Sequence, residues 1–131
     1  MIDGRDALSL EKNKALIRKS IEEINKRNLA VVDEFIAPDY IDHTNPLRSL
    51  EDIKQFYTKA FNDFPDLQRT IEDIIAEGDK VWVRYKITAT DSTGKKNELQ
   101  MVTIYRIVNG KIIESWSVPQ TISEEKKPKF T

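Results

Sequence analysis

The chain has 131 residues, of which 39% are hydrophobic and 33% charged, and its formal net charge is -1. This size and composition predict one soluble domain with a packed core, and they exclude a membrane-spanning helix and the basic surface that binds nucleic acid or anionic membranes. The chain has no cysteine, which excludes a disulfide framework and cysteine-ligated metals, and its first residues lack a secretory-signal pattern, so we expect a cytoplasmic protein.

The first half of the chain begins with two predicted helices. The first should start after Ser9, a good N-cap type, because apolar residues then recur on one helical face. These residues are Leu10, Ile17, Ile21 and Ile24. A short second helix is predicted over residues 29–35, ending before Pro38, and residues 40–44 should be extended.

A third helix is predicted after Ser49. Ser49 and Asp52 have the spacing of a capping box, with Asp in place of the usual Glu. A broad apolar stripe follows at helical spacing and stops at Pro65. Its members are Ile53, Phe56, Tyr57, Ala60, Phe61 and Phe64.

The second half of the chain has the composition of strands. Four segments rich in Ile, Val, Thr, Tyr and Trp are separated by short turn sequences, of which Asn109-Gly110 is the strongest hairpin signal. The segments are residues 67–76, 80–90, 97–108 and 111–118. Because tight turns join only antiparallel neighbours, they predict an antiparallel meander.

Helices followed by an antiparallel sheet predict the α+β class. The helices must bury their apolar stripes against one curved sheet, and a sheet that wraps around helices leaves a concave space in which small ligands bind. We expect a single domain over residues 1–131, ordered from about 9 to 122, with a loose charged tail over 123–131.

Four fragments, in this order, resemble the SnoaL-like (polyketide-cyclase-type) branch of the NTF2-like superfamily. They are residues 28–43, 64–67, 72–85 and 104–116. The resemblance extends over about residues 13–120. It implies a cone with N-terminal helices packed in a curved, mostly antiparallel sheet, a pocket for a hydrophobic small molecule, a homodimer and no organic cofactor.

One residue departs from the family pattern. SnoaL-type cyclases have an acid/base Asp four residues after the Trp of the final strand, and here that position is Gln120, after Trp116. An amide cannot act as an acid or a base near neutral pH, so Gln120 cannot supply this chemistry. The central turn, residues 91–94, also lacks the longer glycine-containing loop of many family members.

His43 is the catalytic candidate, because it is the only histidine and titrates near neutrality without help. The resemblance places an Asp-His pair, Asp42 and His43, near the mouth of the cone. There His43 would move a proton, helped by Asp42 or Asp39, or donate a hydrogen bond to a ligand. The alternative is a half-buried histidine held by its neighbouring backbone. One histidine, no cysteine and scattered acids predict no metal site.

Six residues are ligand-binding candidates. Period-two alternation puts Trp116 and Gln120 on one side of the last strand, where they would form a pocket wall and a polar handle if that side faces inward. Arg84 would bind a ligand carboxylate, or else pair with a surface acid. The aromatic candidates are Tyr40, Tyr57 and Phe61. Such aromatic residues more often belong to the core, and in this fold the core residues also line the pocket.

The alternation in residues 80–90 leaves the orientation of the sheet open. Val81, Val83 and Tyr85 share the face better suited to a core, and an exposed Trp82 on the other face indicates a second subunit. Two functions follow: a polyketide-cyclase-like or isomerase-like enzyme that uses acid/base chemistry on a hydrophobic ligand, or a non-catalytic ligand-binding or homodimeric interaction module.

Overall fold

A computed structural model describes residues 4–120 of the chain. The elements are helix α1 (Gly4–Asn25), a 3₁₀ helix (Leu29–Glu34), strand β1 (Ile36–Asp42), helix α2 (Leu50–Asp63), and strands β2 (Gln68–Glu77), β3 (Lys80–Thr90), β4 (Lys96–Val108) and β5 (Lys111–Gln120). The α+β class and the four-strand meander are confirmed. The expected loose tail, residues 123–131, lies outside the described residues.

Three predicted boundaries in the first half need correction. Helix α1 begins at Gly4 and not after Ser9, and the second helix is a 3₁₀ turn that stops at Glu34. The extended segment starts at Ile36, so Pro38 lies inside strand β1. Proline is tolerated there because β1 is an edge strand of the sheet.

The sheet has five strands in the order β1-β5-β4-β3-β2. Strand β1 runs parallel to β5, and the other neighbours are antiparallel. Asn109 and Gly110 both have positive φ, 51° and 74°, as the turn between β4 and β5 requires. The helices lie against one face of this sheet, which we call the inner face.

The core lies between the helices and the inner face. Ile17, Val32, Val81, Val83 and Tyr85 are at most 1% exposed, so the predicted apolar faces of α1 and β3 do point inward. On α2 the Ser49 hydroxyl accepts the Asp52 N–H at 3.1 Å, as a cap predicts. Among residues 4–120, no helix is long and apolar enough to cross a membrane.

Two bulges decide which side chains face inward. In β5, Arg106 pairs with Glu114 but Ile107 pairs with Ile112, which leaves Ile113 as an extra residue. In β2, the register shifts between Ile71 and Asp73. A one-residue bulge reverses the alternation of every side chain beyond it, so strict period-two reasoning fails on both strands.

Candidate functional site

A cavity of about 300 Å³ lies between the helices and the inner face of the sheet. Its volume is at the lower end of the range for small-molecule sites. Its wall is mainly apolar. The main apolar lining residues are Ile21, Ile24, Ile53, Phe56, Phe64, Leu67, Ile87 and Met101. The two phenylalanines are 38% and 40% exposed, so α2 presents aromatic surface both to the cavity and to solvent.

The sheet side of the cavity carries a connected set of hydroxyls. The Tyr85 hydroxyl donates to Thr103 Oγ1 at 2.7 Å and lies 2.8 Å from the Tyr105 hydroxyl. Because each hydroxyl has one proton, Tyr105 must be the donor to Tyr85. Thr103 Oγ1 is in turn 2.8 Å from Ser117 Oγ. Three neighbouring strands thus place a hydroxyl network on the cavity wall, and Ser117, half-buried, is its most accessible end.

A second hydroxyl pair joins β1 to β5. The Tyr40 hydroxyl is hydrogen-bonded to Ser115 Oγ, and both residues are buried and line the cavity. Burial raises the pKa of Tyr40, and the bond to Ser115 offsets only part of this. Burial likewise raises the pKa of Tyr105 well above its ordinary value. These phenols therefore stay protonated at neutral pH and act as neutral hydrogen-bond donors.

Arg69 on β2 brings a positive charge to the cavity wall. Its guanidinium lies 5.0 Å from the ring centre of Tyr57 and 5.5 Å from that of Tyr85. Its backbone N–H and C=O both bond the side chain of Asn25, at 3.1 and 2.9 Å. The end of α1 therefore fixes the position of Arg69 on the strand.

Burial disfavours the charged forms of Arg69 and of its tyrosine neighbours alike, so it shifts their pKa values in opposite directions. By itself burial would lower the pKa of Arg69, but the adjacent Tyr57, Tyr85 and Tyr105 outweigh it and raise that pKa. Burial raises the pKa of Tyr57, which the positive charge of Arg69 partly counters. The guanidinium thus remains charged and the phenol neutral across the physiological range.

Asp42 is the one carboxylate among the described residues that line the cavity. It ends strand β1, where its Oδ1 accepts the backbone N–H groups of Thr44 and Asn45 at 2.9 and 3.0 Å. Its Oδ2 accepts the Asn45 side-chain amide at 3.2 Å. The carboxylate also raises the pKa values of Tyr40 and Tyr57, which places its charge near both phenols.

His43 lies on the opposite, outer face of the sheet. Its ring stacks on Trp116 with 4.8 Å between ring centres, and its Nε2 is 2.8 Å from Glu114 Oε2. Glu114 Oε1 accepts from Arg106 at 3.0 Å. The hydrogen bond with His43 lowers the pKa of Glu114 the most, and the hydrogen bond with Arg106 lowers it further. Successive strand residues face opposite sides, so Asp42 points to the cavity and His43 away from it.

The predicted position of Trp116 in the cavity wall is wrong. The inward residues of β5 are Ser115 and Ser117, while Trp116 and Glu114 are on the outer face. The bulge at Ile113 is the reason, because it reverses the alternation that starts from the buried Ile112. The backbone of Gln120 pairs with Gln100 at the end of β5, and its side chain lies outside the described residues.

The other predicted ligand contacts divide between the cavity and its surroundings. Tyr40 and Tyr57 line the cavity. Phe61 packs behind Tyr57, with ring centres 5.9 Å apart, and Arg27 covers its other side. Arg84 is on the outer face and pairs with Asp73 at 2.7 Å, which is the surface alternative.

Arg69 and the hydroxyl network were not predicted from the sequence, and Asp42 was named only as a helper of His43. A signal existed for Arg69, because Leu67, Arg69 and Ile71 alternate as one face of β2. The bulge after Ile71 hides the continuation of that face. The hydroxyls belong to three strands, and only the register between them brings them together.

Comparisons with known proteins agree with this geometry. The SnoaL-like polyketide cyclase family model matches residues 15–126, and the chain belongs to this family. Solved structures of family members share its α+β cone of the NTF2-like type.

Individual relatives are distant in sequence. "Probable cyclase otaY" of Aspergillus niger is 26% identical over 104 residues, which cover 78% of this chain and 86% of that protein. Wild-type IdmH of Streptomyces antibioticus, a candidate polyketide cyclase, is 26% identical with a TM-score of 0.76 over 82% of this chain and 91% of its own. AclR of Streptomyces galilaeus, a candidate hydroxylase, is 28% identical with a TM-score of 0.74 over 84% and 79%.

Proposed function

We propose that the protein binds a hydrophobic small molecule in the inner cavity and acts on it as a polyketide-cyclase-like or isomerase-like enzyme through acid/base chemistry. The observation that carries this proposal is the placement of one carboxylate, Asp42, and a donor network of hydroxyls in the same mainly apolar cavity. Family membership and the names of relatives such as the Aspergillus niger protein support a cyclase-type reaction.

The proposed chemistry is proton transfer next to a carbonyl group. Ser117, the accessible end of the hydroxyl network, would donate a hydrogen bond to the carbonyl oxygen and stabilise the enolate that forms when a neighbouring C–H bond breaks. Asp42 would accept that proton and return it to the product, either at another carbon or at the oxygen formed by ring closure. No net oxidant or reductant is required.

This proposal transfers the acid/base role from His43 to Asp42. The two are adjacent in the chain, but only Asp42 lines the cavity, while His43 bonds Glu114 on the outer face. Gln120, which replaces the family's Asp, has no part in the step. The chain would therefore supply its carboxylate from β1 in place of β5.

An exchange experiment tests the role of Asp42. The probe is 1-tetralone, a bicyclic aryl ketone, and the measurement is protein-accelerated exchange of its C2 protons for deuterium, followed by NMR. We expect Asp42→Asn to lower the accelerated rate by about 10²-fold or more, and His43→Gln to leave it within about twofold. The reverse pattern would return the role to His43.

Non-catalytic binding is the alternative function, and the contacts of Asp42 favour it. Three hydrogen bonds tie its oxygens to Thr44 and Asn45, which is also what a purely structural turn residue would make. If 1-tetralone binds but the wild-type protein does not accelerate its exchange, the catalytic proposal fails and the binding function remains.

We also propose a homodimer through the outer face of the sheet. Ile75, Trp82, Ile104 and Trp116 form one row across four strands by their pairing, and Ile75 and Trp82 are 64% and 44% exposed. An apolar row in a polar surround is typical of an interface. Trp82→Asp should convert a dimer to a monomer in light scattering, while Leu8→Asp, an equally exposed site on α1, should not. A monomeric wild-type protein would contradict this proposal.

A further inference from the structure

We infer that Arg69, together with Tyr57, Tyr85 and Tyr105, forms a subsite for the carboxylate of an otherwise apolar ligand. The inference rests on the proposed function in one respect, namely that the inner cavity is where the ligand binds. It goes further by naming the chemical class of that ligand and the side chain that selects it.

The partners of Arg69 differ from those of arginines elsewhere on the sheet. Arg84 and Arg106 each bond a carboxylate on the outer face, Asp73 and Asp79, at 2.7 and 2.8 Å. Of the Asp and Glu residues within 4–120, none has an oxygen within 4.0 Å of the Arg69 guanidinium. A partly buried charge without an anionic partner is costly, and a ligand carboxylate would supply that partner.

The Arg69 guanidinium has five N–H donors, and its side-chain hydrogen bond with Tyr57 uses only part of them. The guanidinium is planar, and its closest aromatic neighbours are the rings of Tyr57 and Tyr85, at 5.0 and 5.5 Å. A guanidinium over an aromatic ring gains cation–π attraction through its face, while its N–H groups lie in its plane. Those N–H groups match the two oxygens of a carboxylate.

The other charge in the cavity does not neutralise Arg69. Asp42 directs its oxygens to its own turn, where both accept hydrogen bonds from Thr44 or Asn45. Among the residues that the structure describes, the cavity thus presents one carboxylate held by its own turn and one guanidinium without an ion-pair partner. A purely structural explanation remains for Arg69, since stacking on two rings is itself stabilising, and the experiment must separate the two.

Two matched probes distinguish a carboxylate subsite from a purely structural role of Arg69. The probes are 2-naphthoate and 2-naphthamide, which have the same ring system and nearly the same shape but differ in charge. Binding of each is measured by calorimetry at pH 7. We expect the wild-type protein to bind the carboxylate about ten- to a hundredfold more tightly than the amide, as a charge-assisted pair in a partly buried site predicts.

Substitutions locate the source of that preference. Arg69→Gln should abolish the preference while leaving amide affinity within about threefold, and Arg69→Lys should keep part of it because the charge remains without the planar fork. Arg84→Gln, which removes an arginine from the outer face, should leave it unchanged. Circular dichroism confirms that each variant is folded.

The outcomes distinguish this inference from the proposed function. Equal affinity of the wild-type protein for both probes would overturn the carboxylate subsite and leave the cavity as the ligand site. A preference that survives in Arg69→Gln would overturn the role of Arg69. If neither probe binds, the subsite falls together with binding in the cavity. A carboxylate preference without tetralone exchange would support the subsite while removing the catalytic proposal.

Discussion

The inner and outer faces of the sheet use the same strands for different chemistry. On the inner face, Tyr85 is 1% exposed and its hydroxyl bonds only other hydroxyls. One residue before it, Arg84 is on the outer face and half-buried, and it pairs with Asp73 and Gln100. Within residues 4–120, the inner face thus carries neutral hydroxyls, the Asp42 carboxylate and the Arg69 guanidinium without an ion pair between them, whereas the outer face carries closed ion pairs.

This difference indicates which face of the sheet is better suited to bind a ligand. Ion pairs near solvent satisfy each other and contribute little free energy. Neutral hydroxyls and a guanidinium in an apolar cavity have stronger interactions with a bound group, because water does not screen them. The outer face is suited to solubility and to contact with a second subunit, and the inner face to ligand chemistry.

Truncation of two adjacent residues, one on each face, should give the largest difference in the free energy of unfolding. Tyr85→Ala removes a fully buried ring and leaves a void, so we expect a loss of about 3–5 kcal/mol in the free energy of unfolding. Arg84→Ala breaks an exposed ion pair and should cost at most about 1 kcal/mol. Urea denaturation measures both. Similar losses for the two variants would contradict the assignment of faces.

Removing single hydroxyls should show which hydroxyl of the inner network is central to its stability. Tyr85→Phe deprives Thr103 of its donor and Tyr105 of its acceptor, so we expect a loss of about 1–3 kcal/mol of stability. Tyr105→Phe removes only a donor to Tyr85, whose own bond to Thr103 remains, and should cost less. Urea denaturation of both variants tests this order, and the opposite order would contradict the central place of Tyr85 in the network.

The inner face should determine the loss of stability at alkaline pH. Burial raises the pKa values of Tyr40 and Tyr105 above the ordinary 10.0, so above pH 10 the unfolded chain releases protons that the folded chain retains. The contribution of these tyrosines to the free energy of unfolding is therefore fully present below pH 10. Above pH 10 it decreases, by at most about 1.4 kcal/mol per pH unit for each group. Unfolding measured from pH 8 to 11 should show a shallower decline in Tyr40→Phe, and an unchanged decline would reject the prediction.

The outer face should make a smaller contribution at acid pH. The contacts with His43 and Arg106 lower the pKa of Glu114 below its ordinary 4.5. The stabilisation is therefore present above pH 4.5 and is lost as the pH falls below it, and because the group is near solvent we expect less than about 1 kcal/mol. Glu114→Gln should flatten the stability curve below pH 4.5, whereas Glu72→Gln, an exposed carboxylate of β2, should not.

Much of the fold could be predicted from local sequence. Asn109-Gly110 indicates its hairpin because few residues adopt positive φ at both positions, and Ser49 indicates the start of α2 because its hydroxyl caps a free N–H. The alternation of Val81, Val83 and Tyr85 indicated the face of β3 that is better suited to a core, although it left open which face lines the cavity. Each of these signals acts within a few residues of the chain.

The candidate site was predicted less well, and the reasons are also physical. The choice between His43 and Asp42 is a choice between faces, which depends on where β1 lies against β5. Trp116 was assigned to the wrong face because the bulge at Ile113 arises from the pairing of β5 with β4. His43 and Trp116 were chosen as candidates because of their residue types, but the residue type does not determine which face of the sheet a side chain lies on.

By itself, the sequence determined the α+β class, the order of the elements and the resemblance to the SnoaL-like family, because propensity, capping and turn chemistry are local properties. Tertiary structure alone decided which residues line the cavity. Arg69, Asp42 and Ser117 come from three strands, and strand register, two bulges and the contact of Asn25 with β2 bring them to one space. Those constraints join residues far apart in the chain, so no short window of sequence contains them.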